Sequence, residues 1–187
     1  MPISTSHFIT AIINIFIDKI NIIIYYLQEP VTICFHIDSG NVSTQGFAEN
    51  GDLTPLLNEV SSQIKSIPSR GGFSGFNERA LQLIFYFTLN NGGKGALDTR
   101  LECDDGDRGA TDIFARSLKS GGRSLLLKLK YLPKAKGTDA AVAAKLEEAK
   151  AQLERYRKAP NFKDVHNLDC RAIVFVNAEP KAVEKLP

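Results

Sequence analysis

The chain has 187 residues, which is the length of one globular domain with room for a short extension. Its composition, 43% hydrophobic and 24% charged, is ordinary for a globular protein and excludes a collagen, a coiled-coil rod and a disordered tail. The formal net charge of +2 conceals a split, because residues 1–69 carry two basic and six acidic side chains, whereas residues 70–187 carry 21 basic and 15 acidic ones. An acidic first part therefore precedes a basic second part.

The cysteines and histidines form no recognisable catalytic or metal-binding motif. Cys34, Cys103 and Cys170 lie far apart and form no C-x-x-C pair, which excludes a zinc knuckle and a thioredoxin-like redox motif. No G-x-S-x-G, Walker A or H-E-x-x-H motif occurs. We expect free thiols and a cytoplasmic protein, because thiols persist in reducing compartments.

The segment 8–27 is rich in Ile and Asn and is apolar enough to raise the question of a membrane span. Asp18 and Lys19 stand at its centre, where a charge costs roughly 2.5–3.5 kcal/mol in a bilayer. We expect this segment to form a packed helix or a pair of strands. The alternatives are a membrane-associated segment and an irregular chain start. A short strand is predicted at 31–37 and a turn-rich linker at 38–46.

After the linker, hydrophobic periodicity predicts the elements in turn. An amphipathic helix is predicted at 52–67, with Asp52 or Thr54 as its cap and Pro55 in its first turn. A helix at 78–91 is apolar on nearly all sides and is expected to be central. The later elements are strands at 96–103, 110–117 and 124–131, a helix at 140–159 and a strand at 170–177. This order predicts an α/β fold in which helices flank a mixed sheet.

Three of the charged residues in the predicted strands are candidates for a site. Asp112 lies in mid-strand, where a buried carboxylate costs several kcal/mol unless it meets a metal or a cation. Lys128 and Lys130 alternate along the third strand and so project from one face. The alternatives without a catalytic role are a strand-end ion pair for Asp112 and a solvent-facing position for Lys130.

The two main helices carry further candidates. Glu78 opens the central helix, where the helix dipole alone would stabilise a carboxylate. Glu148, Gln152 and Tyr156 follow one another at one-turn intervals on the last helix. An ordinary surface pair with Lys145 is the alternative for Glu148.

These residues occur in an order that resembles the PD-(D/E)xK nuclease superfamily. The matching phrases are NERALQLIFYFTL, GATDIF, LLLKLKY, AQLERY and RAIVFV, and the most similar branch is often found C-terminal to AAA-type ATPase domains. The resemblance spans residues 49–177 and implies a restriction-endonuclease-like mixed β-sheet flanked by helices. It divides the chain into an N-terminal extension, 1–45, and a nuclease-like domain, 46–187.

The resemblance implies Mg²⁺-dependent phosphodiester hydrolysis, in which the metal stabilises transition-state charge and activates water. Carried over position by position, Asp112 becomes a metal ligand and Lys130 the catalytic lysine. Glu78 becomes an accessory acid and Gln152 a contact from the helix.

Lys128 departs from the family pattern, which has an acid two residues before the lysine. The change reverses a charge where a divalent ion must bind, and each unit interaction is worth roughly 4 kcal/mol at about 4 Å and an effective dielectric of about 20. One hypothesis is a degenerate nuclease that still binds DNA or a protein. The other is an active enzyme whose missing acid has migrated to Glu148. A pseudonuclease that serves as a protein-interaction module is the alternative function.

The basic surplus of the second part suits a phosphate backbone. Lys145, Arg155 and Lys158 on the last helix are the candidate nucleic-acid contacts, although a solvated face interleaved with Glu147 and Glu154 fits the same pattern. DNA or another nucleic acid is therefore the expected partner, with a protein as the alternative and no membrane. The oligomeric state stays open.

Overall fold

A computed structural model describes residues 13–16, 19–26, 29–35, 42–67, 76–92, 97–104 and 110–187. The chain divides into two compact units, residues 1–38 and residues 39–187. None of the helices in the described ranges has the length and apolar character needed to cross a bilayer.

The described part of the first unit is a three-stranded antiparallel sheet. Its strands are β1 (Ile13–Phe16), β2 (Lys19–Tyr26) and β3 (Glu29–Phe35), in that spatial order. Ile22 of β2 lies between Ile13 and Ile33 in the register, and such β-branched residues favour extended backbone. The strand alternative for segment 8–27 is thus confirmed where the structure describes it. The strand predicted at 31–37 is also confirmed, up to Phe35.

Three helices open the second unit: α1 (Val42–Asn50), α2 (Thr54–Ser66) and α3 (Glu78–Gly92). The linker predicted at 38–46 is wrong from Val42 onwards, since α1 contacts both α2 and α3 and buries Phe47 completely. Tertiary packing here outweighs a turn-rich composition. The predicted α2 is confirmed, but its predicted cap is wrong, because Leu53 is the N-cap and makes no side-chain capping hydrogen bond. Asp52 Oδ1, one residue earlier, accepts a hydrogen bond from the Thr54 backbone N–H at 2.9 Å.

A five-stranded mixed sheet forms the centre of the second unit. Its strands β4 to β8 lie side by side in sequence order, with β6 and β7 parallel and the other pairs antiparallel. A 3-10 turn follows β6, and the helices α4 and α5 precede β7. The bounds are β4 (Leu97–Asp104), β5 (Ala110–Ser117), β6 (Ser124–Leu132), the 3-10 turn (Lys134–Lys136), α4 (Asp139–Tyr156), α5 (Pro160–Lys163), β7 (Leu168–Val176) and β8 (Glu179–Lys185).

Helices cover both faces of this sheet. On one face, Leu126 and Ala172 of the sheet pack with Leu153 of α4 in a buried cluster. On the other face, the ring of Phe85 in α3 meets Phe175 of β7 edge-on, with ring centroids 5.7 Å apart. The predicted α/β architecture with a mixed sheet between helices is therefore confirmed. β8 lies outside the predicted elements and adds a fifth strand.

Gly137 lies where the 3-10 turn crosses the end of β7. A Cβ built on Gly137 would come within 2.2 Å of Val176 Cγ1. We expect Gly137→Ala to lower the unfolding free energy by about 1–3 kcal/mol, because a β-branched strand residue has little rotamer freedom with which to yield. Urea unfolding followed by circular dichroism measures the change. The exposed Ala135→Ser in the same turn should stay within about 0.5 kcal/mol, and equal midpoints for both variants would refute the packing argument.

Candidate functional site

Asp112 is buried at the centre of a hydrogen-bond network. Lys128 Nζ lies 2.7 Å from Asp112 Oδ1, and Gln82 Nε2 of α3 donates to the same oxygen at 2.9 Å. The Leu129 backbone N–H donates to Oδ2. The register that places Ile113 opposite Leu127 brings Asp112 beside Lys128. Three of about four acceptor positions on this carboxylate are therefore filled by protein donors.

The electrostatics of Asp112 depend on this pairing. Burial raises the pKa of the Asp112 carboxyl, and the Lys128 ammonium is the largest influence that opposes the rise. The ammonium also lies 5.7 Å from the centroid of the Tyr156 ring, within cation–π range. Lys128 is 7% exposed, so its charge is held between Asp112 and an aromatic face.

Lys130 is the centre of a second network. Its Nζ lies 2.8 Å from Glu148 Oε1 and 3.7 Å from Glu78 Oε1. Glu148 Oε2 in turn lies 2.6 Å from Lys145 Nζ, and Gln152 Nε2 donates to Glu148 Oε1 at 3.3 Å. Because Lys130 is only 6% exposed, the solvent-facing position considered for it is wrong.

The lysines of both networks project from the sheet face that α4 covers, and α3 contributes Gln82 and Glu78 to the networks. Lys128 and Lys130 contact α4 side chains from alternate positions of β6, as the alternation predicted. The predicted site residues thus come together from four elements: α3, β5, β6 and α4. Glu148 contacts Lys130, Lys145 and Gln152, and among the described residues no hydrogen bond joins it to Asp112.

The site is balanced in charge. Three carboxylates meet three ammonium groups, and these six residues are Glu78, Asp112, Glu148, Lys128, Lys130 and Lys145. A divalent-cation site instead needs an excess of negative oxygen ligands. Within the described ranges no three His, Cys, Asp or Glu side chains are grouped so that they could hold a metal ion.

Sequence reasoning missed one contributor and under-used another. Gln82 was not singled out, although it is a polar residue one turn after Glu78 on an otherwise apolar helix, and that isolation was the available signal. Tyr156 was noted for its spacing alone and proves to face Lys128. The Gln152 Oε1 is buried without a hydrogen-bond partner, so this amide is only half satisfied.

The candidate nucleic-acid contacts have different environments. Lys145 is committed to Glu148, whereas Arg155 and Lys158 are exposed and have no ion-pair partner among the described residues. Other exposed basic residues that share this lack of a described partner are Arg116, Lys119, Lys134, Lys136, Lys163 and Lys181. The unpaired positive charge is therefore on the surface and not in the site around Asp112.

Comparisons with known proteins identify no family for the chain. No protein-family model matches the sequence, and no curated protein matches it either. Motif order and the geometry of the site are therefore the basis for any functional assignment.

Glu148 should make stability depend on pH in the acidic range. Hydrogen bonds from Lys130 and Lys145 lower the pKa of the Glu148 carboxyl from 4.5 to about 2. The folded-state pKa lies below the unfolded one, so these contacts stabilise the fold above pH 4.5, and the contribution is lost as the pH falls towards 2. Glu148→Gln should therefore lose stability less steeply than wild type across this window.

Urea titrations at several pH values measure that slope. Glu147→Gln is the matched control, because Glu147 is the exposed neighbour and pairs with Lys150 outside the site. Identical slopes for wild type and Glu148→Gln would show that Lys130 and Lys145 do not hold this carboxylate.

Proposed function

We propose that residues 46–187 form a PD-(D/E)xK nuclease-like domain that binds DNA through a basic surface and does not hydrolyse it. The order of helix, three strands, helix and strand around a mixed sheet supports the restriction-endonuclease-like form of the fold. The gathering of Asp112, Lys130 and Gln152 on one sheet face supports the superfamily.

The pairing of Lys128 with Asp112 is the observation from which we infer that the domain does not hydrolyse DNA. In an active member of this class, the aspartate oxygens must be free to bind Mg²⁺. Here an ammonium group lies 2.7 Å from Asp112 Oδ1, and two further donors fill the carboxylate. Moving Lys128 aside would leave a buried charge unpaired, at a cost of roughly 3–5 kcal/mol. These residues therefore do not fit a divalent cation.

The contacts of Glu148 give little support to the hypothesis that it replaces the missing metal-binding acid. Both oxygens of Glu148 already contact ammonium groups, Oε1 at Lys130 and Oε2 at Lys145. A carboxylate held in this way balances two lysines and has no negative charge to spare for a metal. The degenerate domain is therefore favoured over an active enzyme that uses Glu148.

DNA binding is assigned to the exposed cations near the end of α4. The ring of Phe114 in β5 contacts the ring of Phe162 in α5, with centroids 5.0 Å apart. Arg116 is two residues after Phe114 and Lys163 is the residue after Phe162, so this contact brings β5 and α5 together near both cations. Arg155 lies in the last turn of α4, and Lys158 lies just after this helix and before α5. We call these four residues the α4–α5 basic surface. Each phosphate contact should contribute about −0.9 to the slope of log K against log salt.

Binding of a fluorescein-labelled DNA duplex, measured by fluorescence anisotropy between 50 and 300 mM salt (on the order of physiological ionic strength), tests the proposal. We expect binding that weakens with salt, and a loss of about tenfold or more for Arg155→Glu combined with Lys158→Glu. Lys181→Glu in β8 is the matched control, because Lys181 is also exposed and unpaired among the described residues. Absence of binding at the lowest salt would favour a protein-interaction module instead.

Hydrolysis is tested separately with supercoiled plasmid and Mg²⁺ or Mn²⁺. The plasmid should remain supercoiled at every protein concentration. Cleavage by the wild type that disappears in Asp112→Ala would contradict the proposal that hydrolysis is lost. It would not contradict the proposal that the domain binds DNA.

A further inference from the structure

Three basic side chains converge on one buried carboxylate away from the Asp112 site. Asp169, near the start of β7, is 1% exposed. Its Oδ1 lies 2.6 Å from Arg171 Nε, and its Oδ2 lies 2.9 Å from Lys185 Nζ and 3.6 Å from Arg123 Nη1. Ala172 packs towards α4, so Asp169 and Arg171 project from the opposite face of the sheet.

The cluster carries a surplus of positive charge. Three cations meet one carboxylate, which leaves a net charge of +2 at the cluster. Among the described residues, Asp52 also acts on Arg171; its side chain is exposed and accepts a hydrogen bond from the Thr54 backbone N–H at the start of α2. Burial raises the pKa of Asp169, but the Arg171 and Lys185 hydrogen bonds outweigh this and lower it, so the carboxylate is ionised and the surplus persists.

Arg123 is the member with spare hydrogen-bonding capacity. Its Nε is buried without a hydrogen-bond partner, and its contact with Asp169 is longer than a hydrogen bond. The guanidinium lies over Gly51, where an added Cβ would come within 3.2 Å of Arg123 Nε. The side chains of Arg123 and Lys185 are 33% and 49% exposed, so solutes can reach both.

We propose that Arg123, Arg171 and Lys185 bind a phosphate dianion, either inorganic phosphate or the phosphate group of a monoester. A dianion matches the surplus of two positive charges. The guanidinium of Arg123 offers planar donors suited to phosphate oxygens, and Lys185 has ammonium hydrogens beyond the one used by Asp169. This site is independent of the DNA-binding surface and of the loss of hydrolysis.

Isothermal titration calorimetry on the full chain in a phosphate-free, low-salt buffer tests the site. Inorganic phosphate, adenosine 5′-monophosphate and adenosine are the three probes. We expect saturable binding of the two phosphate-bearing probes and none of adenosine, and tighter binding of the monophosphate identifies a monoester as the ligand. Arg123→Gln should weaken binding roughly tenfold to hundredfold, the loss expected for charge-assisted hydrogen bonds.

Two further variants make the result decisive. Lys181→Gln removes a basic side chain from the same strand as Lys185 and should leave phosphate binding unchanged. Lys185→Gln keeps the Asp169–Arg171 pair and replaces Arg123→Gln as the test if that variant does not fold. Absence of saturable binding in wild type, or equal binding in all variants, would overturn the site.

Discussion

Replacing Lys128 with glutamate should raise the affinity of the site for Mn²⁺ and Mg²⁺ well above that of the wild type. The substitution removes an ammonium from Asp112 Oδ1 and adds a second carboxylate beside it, so the charge-balanced cluster gains two negative charges. Each unit interaction with a nearby ion is worth roughly 4 kcal/mol at an effective dielectric of about 20. Even after screening, we expect a gain in Mn²⁺ affinity of about 100-fold or more, measured by calorimetry.

The matched control for this substitution is Lys128→Gln. It removes the ammonium without adding an oxygen anion, so its gain in affinity should be much smaller. Mn²⁺ should also raise the melting temperature of Lys128→Glu, because the ion relieves repulsion between two buried carboxylates and binds only the folded state. A folded Lys128→Glu protein that neither binds Mn²⁺ nor gains melting temperature from it would show that Asp112 and residue 128 do not form a metal site of this class.

Replacing Asp112 with alanine should cost about 3–5 kcal/mol of unfolding free energy. The substitution leaves the Lys128 ammonium buried without its counter-ion and removes the acceptor for Gln82 and the Leu129 backbone N–H. A metal-binding nuclease should behave in the opposite way. Its carboxylates repel one another when no ion is bound, so the loss of one is neutral or stabilising.

Urea unfolding of single and double variants separates these cases. Asp112→Ala combined with Lys128→Met should recover most of the lost stability, because no buried charge is then unpaired. Asp98→Ala is the control, since the pair that Asp98 forms with Arg100 is exposed and worth about 1 kcal/mol or less. A neutral Asp112→Ala would indicate that Lys128 does not depend on this carboxylate.

Strong periodicity made part of the fold predictable. The predicted bounds of α3, β5 and β6 agree with the structure to within one residue, because the hydrophobic pattern of each is regular. The end of α3 is marked by asparagines and a glycine, and the end of β6 by Pro133. Among the elements that escaped prediction, α1 and β8 show why. The polar, glycine-containing sequence of α1 has almost no amphipathic pattern and is helical through its packing. β8 is a short edge strand of alternating charged residues with a proline, which is hard to distinguish from a loop.

Most members of the site and the Lys145–Glu148 pair were predictable, but Gln82 and the partners of the two strand lysines were not. Alternation along β6 requires Lys128 and Lys130 to share a face, and helical spacing brings Glu148 beside Gln152. Which lysine pairs with which acid depends on the β5–β6 register and on where α4 crosses the sheet. Both are set by tertiary packing, so the Lys128–Asp112 and Lys130–Glu148 pairs appear only in the structure.

The central claim is that the Lys128 ammonium takes the place of a divalent cation on Asp112. A crystal soaked in MnCl₂ and measured at an anomalous wavelength tests it directly, because manganese is then located without assumptions about activity. We predict no anomalous peak at Asp112 and a Lys128 Nζ that stays within hydrogen-bond distance of Oδ1. A manganese peak on Asp112 with Lys128 displaced from it would contradict the claim.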